Sequence, residues 1–225
     1  MGKMETGIEY LKEHKFEEAA RAFTEAIDED PSNPVGYINF GNLLLHLNDF
    51  ERAKTFYEKA IELDEHASTA YYGLGNMYYE QDKFKEAQEY FEKAVHEGLE
   101  NGDIYFMLGM TLVQQEKSRF ALPYLQRAAE LNLQDVDAQF QYGLALAQSQ
   151  QIDLAMEQMK EVLKLENEHS DAHYNLGVGY LYYADVEKAL HHFNEALRIQ
   201  PDHVLAGNGK EKVQEMLNQN TNDND

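Results

Sequence analysis

The sequence predicts an all-α protein: a solenoid of six tandem helix pairs, each 34 residues long, followed by a capping helix. Three columns of residues at that spacing predict it. They are the glycines Gly7, Gly41, Gly75, Gly109, Gly143 and Gly177, the alanines Ala19, Ala53, Ala87, Ala121, Ala155 and Ala189, and the mostly alanine set Ala26, Ala60, Ala94, Ala128, Val162 and Ala196. A fixed period of this length indicates stacked supersecondary units that bury their apolar faces against one another.

Each period has the pattern of two amphipathic helices joined by a short turn. In the second period the helices are predicted from Val35 to His46 and from Phe50 to Leu63, with Asn48 and Asp49 in the turn. The six units extend over 1–33, 34–67, 68–101, 102–135, 136–169 and 170–203. A capping helix is expected over 204–217, and the polar residues 218–225 are expected to be disordered.

The columns also predict how the helices pack. Glycine inside a helix costs about 0.5–1 kcal/mol relative to alanine, so a close approach between helices is needed to offset the glycine column. The alanine columns lie on the second helix, where two helices would cross. A column of larger residues is expected to fill the space around them: Phe23, Tyr57, Phe91, Leu125, Met159 and Phe193.

The middle of the chain departs from this regularity. Pro123 falls inside a predicted helix, where proline removes a donor and clashes with the preceding turn. A helix start capped by Ser118 would keep that damage local. Glycines replace the usual proline ending between Gly98 and Asp103. Two interpretations stay open, a change of superhelical curvature near residues 98–123 and harmless sequence drift.

The residues of the columns resemble the signature of the tetratricopeptide repeat (TPR) family. The third unit carries it in Leu74, Gly75, Ala87, Phe91 and Ala94, and the sixth unit carries it at the corresponding positions and ends with Pro201. The resemblance implies a right-handed α-solenoid that binds proteins or peptides on a concave face lined by the first helix of each unit. Similar small bacterial proteins are encoded near tRNA-thiolation enzymes, which implies partners in tRNA-thiolation or RNA-processing assemblies.

Carried onto this chain, the resemblance implies an apolar groove with an acidic rim. Two asparagines in it can hydrogen-bond a peptide backbone, because an amide offers both a donor and an acceptor. Aromatic residues at such positions are also common without any ligand, and that alternative stays open. The expected peptide-binding residues are Ile38, Asn42, Tyr72, Asn76, Tyr79, Phe106, Met110, Phe140, Leu144 and Tyr174, with the rim residues Asp103, Asp137 and Asp171. Glu80 extends the rim.

Charge narrows the class of partner. Lys and Arg number 19 against 41 Asp and Glu, a formal net charge of −22. This excess argues against direct binding of nucleic acid, which needs a basic surface, and of anionic membranes. It favours a protein or peptide with basic and apolar residues. Acidic chaperone C-termini are not expected as partners, since Gly73, Asp103 and Met107 stand where a carboxylate clamp would place cations.

Other classes of function find little support in the sequence. There are no cysteines, no apolar run of membrane-spanning length and no secretory pattern, so a cytoplasmic location is expected. His169 and His173 have helical metal spacing but no third ligand near them, so neither a metal nor a cofactor is expected. No nucleophile and base are paired, which predicts a non-catalytic scaffold or adaptor. The alternative is a self-associating structural module whose groove accepts the terminus of a neighbouring copy.

Overall fold

The computed structural model describes residues 2–222, with side chains as far as Asn218. Thirteen α-helices and no strand occur in this range. They are α1 (Lys3–Lys12), α2 (Phe16–Glu29), α3 (Pro34–His46), α4 (Phe50–Leu63), α5 (Ser68–Tyr79), α6 (Phe84–His96), α7 (Gly102–Gln114), α8 (Ser118–Leu131), α9 (Val136–Gln148), α10 (Ile152–Leu165), α11 (Ser170–Tyr182), α12 (Val186–Ile199) and α13 (Val204–Asn222). The prediction of an all-α fold with six helix pairs and a further helix is confirmed.

The starts of the helices follow capping chemistry. Asn33 accepts a hydrogen bond from the amide of Val35 at 3.0 Å, and Pro34 occupies the first turn, so α3 begins one residue before its predicted start. Proline suits that position because its ring fixes a helical φ and its missing amide would have no partner there. α4 begins and ends at the predicted residues, Phe50 and Leu63.

Each helix pair is joined by the same kind of turn. After α3, the amides of Asn48 and Asp49 donate to the carbonyls of Leu45 and Leu44 at 2.9 and 2.8 Å. This is the Schellman pattern, which places the residue after the helix in the left-handed region. One residue with positive φ accordingly occurs in every repeat: His14, Asn48, Asp82, Glu116, Gln150 and Ala184.

The chain divides into two compact units between Lys117 and Ser118, inside the fourth repeat. In the N-terminal unit the rings of Phe23, Tyr57 and Phe91 are fully buried, and in the C-terminal unit Leu125, Met159 and Phe193 take the same positions. The glycines face these side chains: a Cβ placed at Gly41 would lie 2.7 Å from the Tyr57 ring, and one at Gly177 would lie 2.6 Å from Phe193. The close approach predicted from the glycine column is therefore present.

Two regions of the chain bear on the predicted helix boundaries, the start of α8 and the end of α13. α8 starts at Ser118 and continues through Pro123 to Leu131. The two interpretations of residues 98–123, a change of curvature and harmless drift, both stay open. α13 continues to Asn222, five residues past the predicted end of the capping helix, because each residue added to an existing helix gains one backbone hydrogen bond. Disorder over 218–225 stays a prediction. The remainder of that predicted tail, 223–225, lies outside the described residues.

α13 covers the end of the sixth repeat. Its residues Ala206 and Val213 are fully buried in one cluster with Phe193 of α12. Gly209 lets α13 approach closely, since a Cβ there would lie 2.7 Å from the Phe193 ring. No helix within residues 2–222 combines the length and the apolar character needed to cross a bilayer.

Candidate functional site

A cleft of about 600 Å³ opens between α3 and α5 in the N-terminal unit. These are the first helices of the second and third repeats, the surface on which the sequence analysis placed the groove. Four of the expected binding residues line the cleft, and five further residues complete it. The lining consists of Ile38, Asn42, Leu45, His46, Asn48, Thr69, Tyr72, Asn76 and Glu80.

The ring of Tyr57 sets the positions of the two walls. Gly41 of α3 and Gly73 of α5 both face this ring, and a Cβ at either position would overlap it. The ring itself is fully buried. Both helices therefore pack against one rigid aromatic side chain of α4, which fixes the helices from which the cleft residues project.

The two asparagines of the cleft lie beside tyrosines. The hydroxyl of Tyr57 donates to Asn42 Oδ1 at 2.8 Å, which leaves Asn42 Nδ2 as a donor. The side chain of Asn76 lies near enough to the Tyr72 hydroxyl to lower the pKa of that tyrosine, against the larger effect of burial. The cleft thus presents two side-chain amides, and one of them is held by a buried phenol.

The electrostatics of the cleft are acidic. Glu80 lies at its edge and is exposed, and no Lys or Arg occurs among the described lining residues. Burial is the main cause that raises the pKa of Tyr72, and the nearby Asp103 carboxylate raises it further. Burial also holds the pKa of Tyr57 well above its ordinary value. Both phenols therefore remain neutral hydrogen-bonding groups at physiological pH.

Four other expected residues of the N-terminal unit lie outside the lining of this cleft. The ring of Tyr79 packs edge-on against Phe84 of α6, with the ring centroids 5.4 Å apart. Asp103 is exposed in the first turn of α7, while Phe106 and Met110 are half-buried on the same helix.

The expected residues of the C-terminal unit have neighbours of their own. Phe140 packs on the ring of His169 at 4.6 Å, and Leu144 joins the apolar cluster of Met156 and Leu176. Asp137 is exposed in the first turn of α9.

His203 engages the last two expected residues, Tyr174 and Asp171. His203 is buried, and its Nδ1 accepts from the amide of Ala206, so its Nε2 carries the proton and donates to Asp171 at 3.1 Å. The ring of Tyr174 lies 5.2 Å from that of His203. These two residues therefore support the start of α13, a role that the sequence analysis did not foresee.

Sequence reasoning missed several lining residues of the cleft. Leu45, His46, Asn48 and Thr69 line the cleft but were not among the expected binding residues. Thr69 had a usable signal, since it stands one repeat before Asp103 in the column of the acidic rim.

The histidines of the C-terminal unit form a pair at a packing position. His173 Nδ1 and His192 Nδ1 lie 3.0 Å apart, and the His192 ring stacks on Tyr180 with an interplanar angle of 9°. Burial is the main cause that lowers the pKa of His192 to about 4, with the neighbouring His173 contributing, and burial also lowers the pKa of His173. A search of the described part of the chain finds no group of three side chains able to hold a metal.

The fold and the cleft together define a helical-repeat interaction protein, and the chain belongs to the tetratricopeptide-repeat family. Sequence models of that family, described as tetratricopeptide repeat, match residues 37–96, 106–166 and 170–203. Proteins of this family serve as protein–protein interaction scaffolds. No curated protein sequence matches the chain significantly.

Among solved structures, the chain is similar to YrrB, described as a TPR protein with an unusual peptide-binding site. The two are 50% identical with a TM-score of 0.79, over 85% of this chain and 99% of that one. Pseudomonas aeruginosa pilF is 18% identical, with a TM-score of 0.78 over 95% of this chain and 96% of that one. MamA is 23% identical, with a TM-score of 0.67 over 76% and 93% of the two chains. The last two support the fold alone.

Proposed function

We propose that this protein is a non-catalytic scaffold that binds an extended segment of a partner protein in the cleft between α3 and α5. The observation that carries the proposal is the pair Asn42 and Asn76, two side-chain amides that line one cleft, with Asn42 held by the Tyr57 hydroxyl. The similarity to YrrB, described as having a peptide-binding site, supports the same class of function.

The two amides suit a polypeptide backbone. Asn42 Nδ2 would donate to a peptide carbonyl, and Asn76 Oδ1 would accept from a peptide N–H. Each such hydrogen bond contributes about 0.5–1.5 kcal/mol, and neither depends on the side chains of the partner. The Tyr57 hydroxyl restricts the Asn42 rotamer before binding, which reduces the entropy lost when the segment binds.

The rest of the lining selects side chains of the partner. The half-buried Leu45 offers apolar surface beside the largely buried Ile38, and Glu80 favours a Lys or Arg next to it. The net charge of −22 attracts basic segments from a distance and repels acidic ones. The resemblance suggests tRNA-thiolation or RNA-processing assemblies as the place to look for such partners.

The proposal is tested with a positional-scanning library of extended peptides probed with the full chain, followed by calorimetry on the selected peptides. We expect enrichment of an aliphatic residue beside Lys or Arg. In the double variant Asn42→Ala and Asn76→Ala, the loss of two hydrogen bonds should weaken binding of a selected peptide about ten-fold or more. Circular dichroism checks that the variant keeps its helices.

The matched control is Asn194→Ala, which removes an exposed asparagine of α12 and should leave affinity unchanged. Equal affinity of the double variant and the parent protein would exclude this cleft as the site. If the library selects nothing while light scattering shows association that grows with concentration, the self-associating alternative replaces the proposal.

A further inference from the structure

The C-terminal unit contains an apolar pocket that the proposed function does not use. It holds about 100 Å³ and lies between α9, α10 and α11. Its walls are two methionines, small residues and the side of a tyrosine. The lining consists of Ala147, Ile152, Ala155, Met156, Met159, Asn175, Val178, Gly179 and Tyr182.

Small residues at two repeat positions open this pocket. Gly179 stands three repeats after Met77, whose side chain is 1% exposed and fills the core of the N-terminal unit. Ala147 stands three repeats after Leu45. A Cβ at Gly179 would lie 2.5 Å from Met156 Cγ, so the Met156 side chain of α10 packs directly against the backbone at this position and forms one wall of the pocket.

The mouth of the pocket is exposed and apolar. Val178 is 44% exposed and Tyr182 is 70% exposed, where the corresponding residues of the N-terminal cleft are the polar Asn76 and Glu80. Tyr182 also borders a second, shallower depression next to Leu154 and Tyr183. Exposed tyrosines around an apolar pocket are typical of the energetic centre of protein interfaces.

The charge beside the mouth is negative. Asp153 lines the shallower depression and accepts a hydrogen bond from the Tyr183 hydroxyl at 2.7 Å, while no Lys or Arg lines either depression in the described chain. Tyr183 holds the carboxylate in place at the edge of the apolar surface. A side chain entering the pocket can therefore be followed by a cation in the partner.

We propose that this pocket is a second docking site, which receives one aliphatic side chain, Leu or Met, from a partner segment with Lys or Arg beside it. Filling a mostly apolar pocket with an aliphatic side chain removes apolar surface from water, which favours binding. The two methionine walls can adjust their rotamers to the shape of that group. The inference does not rest on the cleft between α3 and α5.

The test uses the full chain with methyl-¹³C methionine, in which the Met156 and Met159 signals are assigned by Met→Leu substitution of each. The probes are the acetylated, amidated peptides Lys-Lys-Leu-Lys-Lys and Lys-Lys-Ala-Lys-Lys, added at raised ionic strength to suppress non-specific attraction. We expect the Leu peptide to shift both methyl signals and to bind about ten-fold more tightly than the Ala peptide, because only its side chain fills the pocket.

Three variants test the interpretation. Ala147→Leu restores the larger side chain of the second repeat and should abolish the preference for the Leu peptide. Tyr182→Ala changes an exposed residue that the core does not need, and it should weaken Leu-peptide binding several-fold. The variant Asn42→Ala with Asn76→Ala should leave the Met156 and Met159 responses unchanged, which separates this site from the cleft.

Equal methyl responses to the two peptides would overturn the proposal. So would methyl shifts that depend on protein concentration without any peptide, because they would place a second copy of the chain in the pocket.

Discussion

Corresponding repeats of the two units carry depressions of opposite chemistry, one between α3 and α5 and the other among α9, α10 and α11. In the N-terminal unit Asn76 and Glu80 make the depression polar, and the rigid ring of Tyr57 lies behind it. In the C-terminal unit Val178 and Tyr182 make the depression apolar, and the flexible Met159 takes the place of the ring. The comparison teaches that the repeat fixes where a depression lies, while residues outside the fold-defining columns decide what it can bind.

The largest expected effect is on stability, at glycines that face a phenylalanine ring in one unit and a methionine in the other. At Gly75 an added Cβ would overlap the buried Phe91 ring, whereas at Gly143 it would lie 2.8 Å from the mobile methyl of Met159. Gly75→Ala should therefore destabilise by about 1–2 kcal/mol through overpacking, despite the better helix propensity of alanine. Gly143→Ala should be neutral or stabilising by up to about 1 kcal/mol.

Urea denaturation of the two single variants beside the parent chain measures this difference. Equal destabilisation by the two substitutions would show that Met159 is as rigid as the phenylalanine ring, and it would remove the proposed contrast between the units.

A smaller effect should come from pH, through the histidine pair of α11 and α12. The native state lowers the pKa of His192 from 6.5 to about 4, so the unfolded chain binds the proton first as pH falls. The contribution of His192 to the free energy of unfolding should decrease between pH 6.5 and 4 and stop changing below that range. We expect a loss of about 1–2 kcal/mol, because the rings are only partly buried.

The matched measurement compares this pH dependence with that of His192→Phe, which keeps an aromatic ring on Tyr180 and removes the titration. The difference between the two curves isolates the pair from carboxylates that titrate at lower pH. Parallel curves would contradict the prediction. The charged or titratable neighbours to be considered are Lys160, His191, Glu195 and Arg198.

The smallest effect concerns the turns. Ala184 has φ of 57°, a left-handed conformation that costs an alanine about 1 kcal/mol and that glycine adopts readily. Ala184→Gly should raise the free energy of unfolding by about 0.5–1 kcal/mol. Asn48→Gly should change it little, because asparagine tolerates this region, and thermal unfolding of both variants provides the check.

Much of the fold followed from the sequence because its determinants recur. The glycine and alanine columns mark the contacts between helices, and these contacts are the same in successive repeats. The positions of Ile38, Asn42, Tyr72 and Asn76 on one surface followed from the same period. The end of α13 did not follow from the sequence, because no repeat marks it. The helix continues past Leu217 to Asn222.

The details of the two sites depend on side-chain contacts that the 34-residue columns of the sequence do not reveal. The bond from Tyr57 to Asn42 requires one particular rotamer of each side chain, which a spacing of 34 residues cannot specify. The engagement of Asp171 by His203 depends on the docking of α13. The C-terminal pocket arises from reduced side-chain volume at two separate positions, Ala147 and Gly179, whose effects combine only after folding.

The Schellman turns described above bear on how fast the chain folds. Each turn closes a helix hairpin within a single repeat, and neighbouring repeats bring together residues only some tens of positions apart. Such local contacts give a low contact order, and proteins of this kind fold in microseconds to milliseconds. A repeat can add to the one before it as soon as its own turn has closed, so folding can begin in any hairpin and spread to the next.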